Sequence, residues 1–359
     1  MSADGPSLIP GYATPEGTAH FAARSLAAGK VSSHHFRIFQ EIQLSSLGIG
    51  TYLGKPDLET DRRVSAAVVR SVDSGVVNVI DTAINYRNSH GEQAVGAAIR
   101  SLLSKGEIPR EAFFVSSKNG YVADPSLLRR MISEGTIRSS DVASGCNCME
   151  VPFLRDQLAR SRVNLGLETL DLLYLHNVTD EHIPDLGIDA FLDKLRDAFR
   201  FLEEARMAHH IRYYGLATWD SLRLPPGQLE LLSLEDVVQL AERVGGPNHG
   251  FRFVQFPFNL RMPEAASVQN QAVGPEHYTL FEAAARLGIG TFSSVPLLQA
   301  QLPAPDALEF ARSPPGHIAP LVGHKDPLHV EENLALAARP PLSPEAFANR
   351  LDRLLRGGG

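Results

Sequence analysis

Asp81, Tyr86, Lys118 and His176 are the residues of this chain whose types and positions could do chemistry together. Each sits at or just after the end of a short apolar run. Val77 to Ile80 leads into Asp81 and Tyr86, Phe113 to Ser116 into Lys118, and Leu172 to Leu175 into His176. A phenol is a weak acid at neutral pH, with an unperturbed pKa of about 10. A neighbouring ammonium favours the phenolate and is expected to lower that value, while a carboxylate beside the ammonium keeps it charged. Together these three make a general acid. An imidazole facing the phenol can hydrogen-bond a substrate oxygen and hold it in position. None of the four donates hydride, so carbonyl reduction by this set requires a nicotinamide, which the protein would bind, orient and polarise.

For the four to meet, the strands that carry them must end at one place. The apolar runs predict strands at Leu47 to Gly50, Val77 to Asp81, Phe113 to Lys118, Leu170 to His176, Ile211 to Ala217, Phe253 to Phe256, Gly290 to Ser293 and Pro320 to Val322. Amphipathic segments between or after them predict helices at Asp61 to Val72, Gly91 to Leu103, Val151 to Leu165, Ile188 to Arg206, Leu234 to Arg243, His277 to Leu287 and Pro327 to Ala337. Such alternation is the signature of parallel α/β architecture, and a closed (β/α)8 TIM barrel, about 250 residues at minimum, fits the length. Residues 1–35, rich in Ala, Gly, Ser and Pro with a short helix around Thr18 to Ala28, read as an N-terminal extension; 36–359 read as the barrel. Asn88 or Ser89 is a potential cap for the helix containing Glu92, Pro327 suits a first helical turn, and Gly288 and Gly290 end the sixth helix. Long intervals follow Lys118 and Thr218 and are expected to wall the substrate site.

The 359 residues are 43% hydrophobic, enough for one large core or two ordinary ones. A net charge of -7 offers no basic field to nucleic acid or anionic lipid. No stretch approaches the roughly eighteen apolar residues of a membrane span, and MSADGPSLIPGYATPEG lacks the layout of a signal peptide. Cys146 and Cys148 are the only cysteines, too few for a disulfide framework and poorly spaced for a zinc clamp. These features predict a soluble cytoplasmic protein without metal. Gly48-Ile49-Gly50 lacks the third glycine and acidic follow-up of a dinucleotide fingerprint, which argues against a Rossmann domain.

Several segments resemble the aldo-keto reductase superfamily: LGIGTYLG at the first strand, NVIDTAINYRNSHGEQAVGAAI around the second, VSSKNG at the third, SRVNLGLETLDLLYLHN at the fourth, VQFPFNL at the sixth and VEENLALA near the end. The resemblance runs from roughly Phe36 to Ala337. It implies NAD(P)H without metal or flavin, Tyr86 as proton donor, Asp81 and Lys118 as its tuning pair, and His176 as the substrate-orienting residue. The implied cofactor contacts are Gly50, Thr51, Thr218, Gln255, Ser294, Leu297, Gly323, Lys325, Glu332 and Asn333. Where the family carries Ser-Asn after its fifth strand, this chain has Ala217 and Thr218. Ser294 stands where the family places an aromatic ring. Lys325 is the cation of the adenosine loop and favours NADP(H), with NAD(H) the alternative. The implied activity is hydride transfer between nicotinamide and an aldehyde, ketone or sugar-like carbonyl or alcohol, a small-molecule substrate. Two rival readings are a cofactor-binding regulatory subunit and a redox-neutral biosynthetic enzyme with a tightly held cofactor.

Overall fold

The computed structural model describes residues 7–357, so residues 1–6 of the expected extension and the terminal Gly358 and Gly359 lie outside it. Eight parallel strands close a barrel in simple sequential order. They are β1 (Gly48–Gly50), β2 (Val79–Asp81), β3 (Phe114–Asn119), β4 (Leu170–His176), β5 (Ile211–Ala217), β6 (Phe251–Pro257), β7 (Gly290–Ser294) and β8 (Ala319–Gly323). A helix follows each: α1 (Leu58–Asp73), α2 (His90–Ser104), α3 (Val151–Leu165), α4 (Ile188–Met207), α5 (Leu234–Gly245), α6 (Leu280–Arg286), α7 (Ala304–Ala311) and α8 (Pro327–Ala335). This is the TIM (β/α)8 fold.

Helix α7 was not anticipated from the pattern. It has only eight residues, APDALEFA, among prolines and alanines that give no clear polar face. The sixth helix is shorter than expected because Glu276–Tyr278 pairs with Gln271–Val273 in a small hairpin, and Thr279 then caps α6 through a reciprocal box with Glu282. Ser89 does not cap α2 with its side chain, contrary to the sequence expectation. Its φ is +70°, and Arg87 and Asn88 are also left-handed, whereas a side-chain N-cap typically has extended backbone. Gly290 lies in β7, so the end of α6 is marked by Gly288 alone, at φ +67°.

The amino end of the barrel is plugged. An antiparallel hairpin, Phe36–Phe39 with Ile42–Ser45, buries Ile42 and Leu44 against Val79, Phe114, Leu172, Phe253 and Phe292 of the barrel interior. The expected early helix spans Pro15–Ala27, starting at a cap on Thr14, and buries Phe21 and Ala22. Just before it, the Ala13 amide donates to Asp171 at 2.6 Å. Asp171 also accepts from Arg110 and from the Val115 amide, tying the chain's start to β3 and β4. Inside the wall, a Cβ on Gly215 would meet the Phe253 carbonyl oxygen at 2.1 Å, so β5 and β6 approach as closely as they do only with glycine there. With the amino end filled, the open carboxyl end is where a ligand can enter. None of the described helices is long and apolar enough to cross a membrane.

Candidate active site

The barrel register sets Asp81 of β2 beside Ser116 of β3, Lys118 of β3 beside Tyr174 of β4, and His176 of β4 beside Ala217 of β5. Consecutive parallel strands therefore deliver the carboxylate, ammonium and imidazole to one rim. Tyr86 reaches it from the turn after β2. That turn can pack tightly because Gly91 has no side chain: a Cβ there would lie 2.9 Å from Tyr86 Cβ and 3.0 Å from Thr82 Oγ1.

Lys118 is fully buried and its three protons are all committed. Nζ donates to Asp81 Oδ2 at 2.5 Å, to the Thr82 carbonyl at 2.8 Å and to Tyr86 OH at 3.1 Å. Asp81 Oδ1 accepts from Ser116 Oγ at 2.7 Å and from Gln255 Nε2 at 3.1 Å. Burial pulls the Lys118 pKa down, but Asp81 and then Tyr86 outweigh it and the value is raised, so the ammonium persists. Burial pushes the Tyr86 phenol up, and the opposing pull of Lys118 does not cancel it. The net direction thus corrects the lowering expected from sequence, which could not weigh desolvation. A phenol of raised pKa is fully protonated near neutrality, and any phenolate formed from it lies 3.1 Å from a fixed ammonium.

His176 is buried, and burial followed by the charge of Lys118 holds its pKa well below the usual value, so the ring is neutral. Its plane stands edge-on to Tyr86 at 5.8 Å and to Tyr121 at 5.0 Å. Behind the rim, Glu92 joins α2 to its neighbours by accepting from Ser117 Oγ at 2.5 Å and Asn164 Nδ2 at 2.8 Å.

A cavity of about 640 Å3 opens at this rim. Asp81, Tyr86 and His176 line it, as do Gly50, Thr51, Thr218, Gln255, Ser294, Leu297, Gly323, Glu332 and Asn333. Lys118 stands behind Tyr86 rather than in the wall. Lys325 borders a small adjoining recess with Gly50, Thr51, Leu53, Val64, Gly323 and His324. Ser294 is followed by Val295, Pro296 and Leu297, which give that wall an apolar surface. Asn333 Nδ2 pairs with His324 Nδ1 at 3.1 Å. Among the buried polar side-chain atoms of the wall residues, Thr218 Oγ1 is the one without a hydrogen bond, which fits a polar ligand group such as a carboxamide. The cavity also runs from Tyr86 to the first turns of α8, so its residues fit an elongated dinucleotide.

Tyr52, Asn85, Tyr121, Asn177, Trp219 and His324 also line the cavity and were not singled out from sequence. Adjacency was the available signal for five of them: Tyr52 follows Thr51, Asn85 precedes Tyr86, Asn177 follows His176, Trp219 follows Thr218 and His324 follows Gly323. Trp219 is held by Asp180, whose carboxylate accepts the amides of Trp219, Asp220 and Ser221 at 2.8, 2.7 and 3.1 Å. Asp180→Ala is expected to lower hydrogen-exchange protection of these three amides roughly tenfold; unchanged exchange would show that the loop is held otherwise. The two cysteines do not line the cavity. Cys148 packs among Leu127, Leu128, Met131 and Phe153 under the long third loop, and burial pushes its thiol up to about 11.

The Aldo/keto reductase family model matches residues 46–225, a span that includes all four rim residues. Among curated proteins, the chain is similar to a D-threo-aldose 1-dehydrogenase of Pseudomonas sp, 29% identical over 163 residues that make up 44% of this chain and 45% of that one. It is also similar to an NADH-specific methylglyoxal reductase of Escherichia coli (strain K12), 25% identical over 187 residues, half of each chain. The chain thus spans about half the length of the curated relatives it matches. In fold, it is similar to an aldo/keto reductase from Klebsiella pneumoniae solved with NADP and acetate, with a TM-score of 0.58, 20% identity, and coverage of 90% of this chain and 95% of that one. With its eightfold barrel and a family match over half its length, the chain belongs to the aldo/keto reductase family.

Proposed function

We propose that this protein is an NAD(P)-dependent oxidoreductase that interconverts a carbonyl and an alcohol, with Tyr86 as the general acid and base. The observation that carries the reading is the Tyr86 hydroxyl, 3.1 Å from a fully committed Lys118 and edge-on to a neutral His176 in one cavity wall. When bound, a nicotinamide supplies the hydride that the protein lacks. Tyr86 gives its proton to the carbonyl oxygen as the carbon is reduced. Lys118 holds the resulting phenolate until water reprotonates it. Asp81 fixes Lys118, and His176 hydrogen-bonds the substrate oxygen. In the oxidative direction Tyr86 first gives its proton to water, and the phenolate held by Lys118 then takes the proton of the alcohol.

Thr218, Gln255, Ser294 and Leu297 would hold the nicotinamide half, Gly50 and Thr51 the middle, and Gly323, Lys325, Glu332 and Asn333 the adenosine half. Gln255 already spends one amide proton on Asp81, which sets its orientation toward such a ligand. NADP(H) is the preferred cofactor because Lys325 flanks the adenosine end with a flexible cation. Lys325→Ala is expected to weaken NADP(H) binding roughly tenfold and leave NAD(H) binding unchanged. Equal losses in a fluorescence titration, or none, would count against the assignment.

The substrate side is ringed by Tyr52, Tyr121 and Trp219 with the amides of Asn85 and Asn177, and no Lys or Arg among the described residues lines the cavity. Aromatic faces with amides and no cation suit a neutral, sugar-like carbonyl better than an acid. An absorbance screen for NAD(P)H oxidation over aldehydes, ketones and sugars tests the reading, and no turnover anywhere in the panel would overturn it. Ala217 and Ser294 favour the rival of a cofactor-binding regulatory subunit, since neither can make its family contact; that rival predicts binding of cofactor without turnover. The acidic charge and two unpaired thiols fit a cytoplasmic location.

A further inference from the structure

Asn85 lies in the turn that carries Tyr86, and its side-chain Oδ1 lies 3.2 Å from His176 Nδ1. That is the one hydrogen bond the Asn85 side chain makes among the described residues. His176 Nε2 makes none within them, while the residue lines the cavity. A neutral imidazole carries a single N–H, so whatever faces Nδ1 decides what Nε2 offers a ligand.

We propose that Asn85 sets the tautomer of His176 and, by turning its amide, matches the imidazole to whichever form of the substrate oxygen is bound. With Oδ1 toward the ring, Nδ1 holds the proton and Nε2 is an acceptor, suited to the O–H of a resting alcohol whose oxygen accepts from the protonated Tyr86 hydroxyl. With the amide reversed, Nδ2 donates to Nδ1, the proton sits on Nε2, and the ring donates to a carbonyl oxygen. The two orientations have nearly the same shape, and no second bond to Asn85 opposes the turn. An aspartate could only accept and an apolar residue could do neither, so the amide is the side chain that serves both states. The inference rests on the proposed carbonyl–alcohol reaction for its purpose, but not for the pairing itself.

The pairing is read by nitrogen-15 NMR of the full-length protein labelled at histidine, with the His176 signals assigned by their loss in His176→Gln. In the free wild type the proton is expected on Nδ1. In Asn85→Leu it should move to Nε2, whereas Asn85→Asp should keep it on Nδ1. The same tautomer in the wild type and Asn85→Leu would overturn the proposal. The purpose is read kinetically: Asn85→Leu should raise the KM of the alcohol about five- to tenfold more than it raises that of the carbonyl. Equal changes in both would overturn the switching role. If the wild type turns over no substrate while the NMR result holds, the proposed reaction fails and the Asn85–His176 pairing stands.

Discussion

Tyr86→Phe is expected to bind cofactor as the wild type does and to lose about 10²–10⁴-fold in the rate of single-turnover hydride transfer, the usual worth of a positioned general acid. The substitution removes one hydroxyl and keeps the ring, whose edge-on contacts with Tyr52 at 5.1 Å and His176 at 5.8 Å survive. What disappears is the proton source for the nascent alkoxide. Lys118 also loses one acceptor, at a cost of about 1–3 kcal/mol, too little to unfold a domain of this size when its Asp81 and Thr82 bonds remain. Transfer at the wild-type rate in Tyr86→Phe would show that the proton comes from elsewhere. A regulatory subunit would retain its cofactor readout in this variant.

Lys118→Met should slow the same step comparably, through a different cause. The charge of Lys118 is what opposes the upward push of burial on the Tyr86 phenol, so without it the phenolate side of the proton transfer loses its main support. This variant also leaves Asp81 as a buried carboxylate without its cation, a loss on the order of 3–5 kcal/mol. Stability and catalysis can be separated by adding Asp81→Asn. The double variant should recover thermal stability, because the uncompensated charge is gone, and should remain as slow as Lys118→Met. Recovery of rate along with stability would reduce Lys118 to a structural ion-pair partner.

The strand ends were legible because each is a local event: an apolar run of β-forming residues stops at a polar one. Asp81 and His176 are the final residues of β2 and β4, as the runs ending at Ile80 and Leu175 implied. The barrel followed from the alternation of short apolar and longer amphipathic segments. Helix α7 escaped because eight residues among prolines and alanines carry too little periodicity.

By itself, the sequence determined which chemical groups stand at the strand ends, since side-chain type and the period of burial are properties of short stretches. Tertiary structure decided how those groups behave. The phenol's net shift is upward because enclosure by residues distant in sequence outweighs one neighbouring charge. Asn85 faces His176, 91 positions away, and Asp180 anchors the amides of Trp219 to Ser221, 39 to 41 positions on. Such contacts form when the barrel closes and brings separate loops to one rim. No local pattern encodes them, because the energy that sets them lies between segments and not within any one of them.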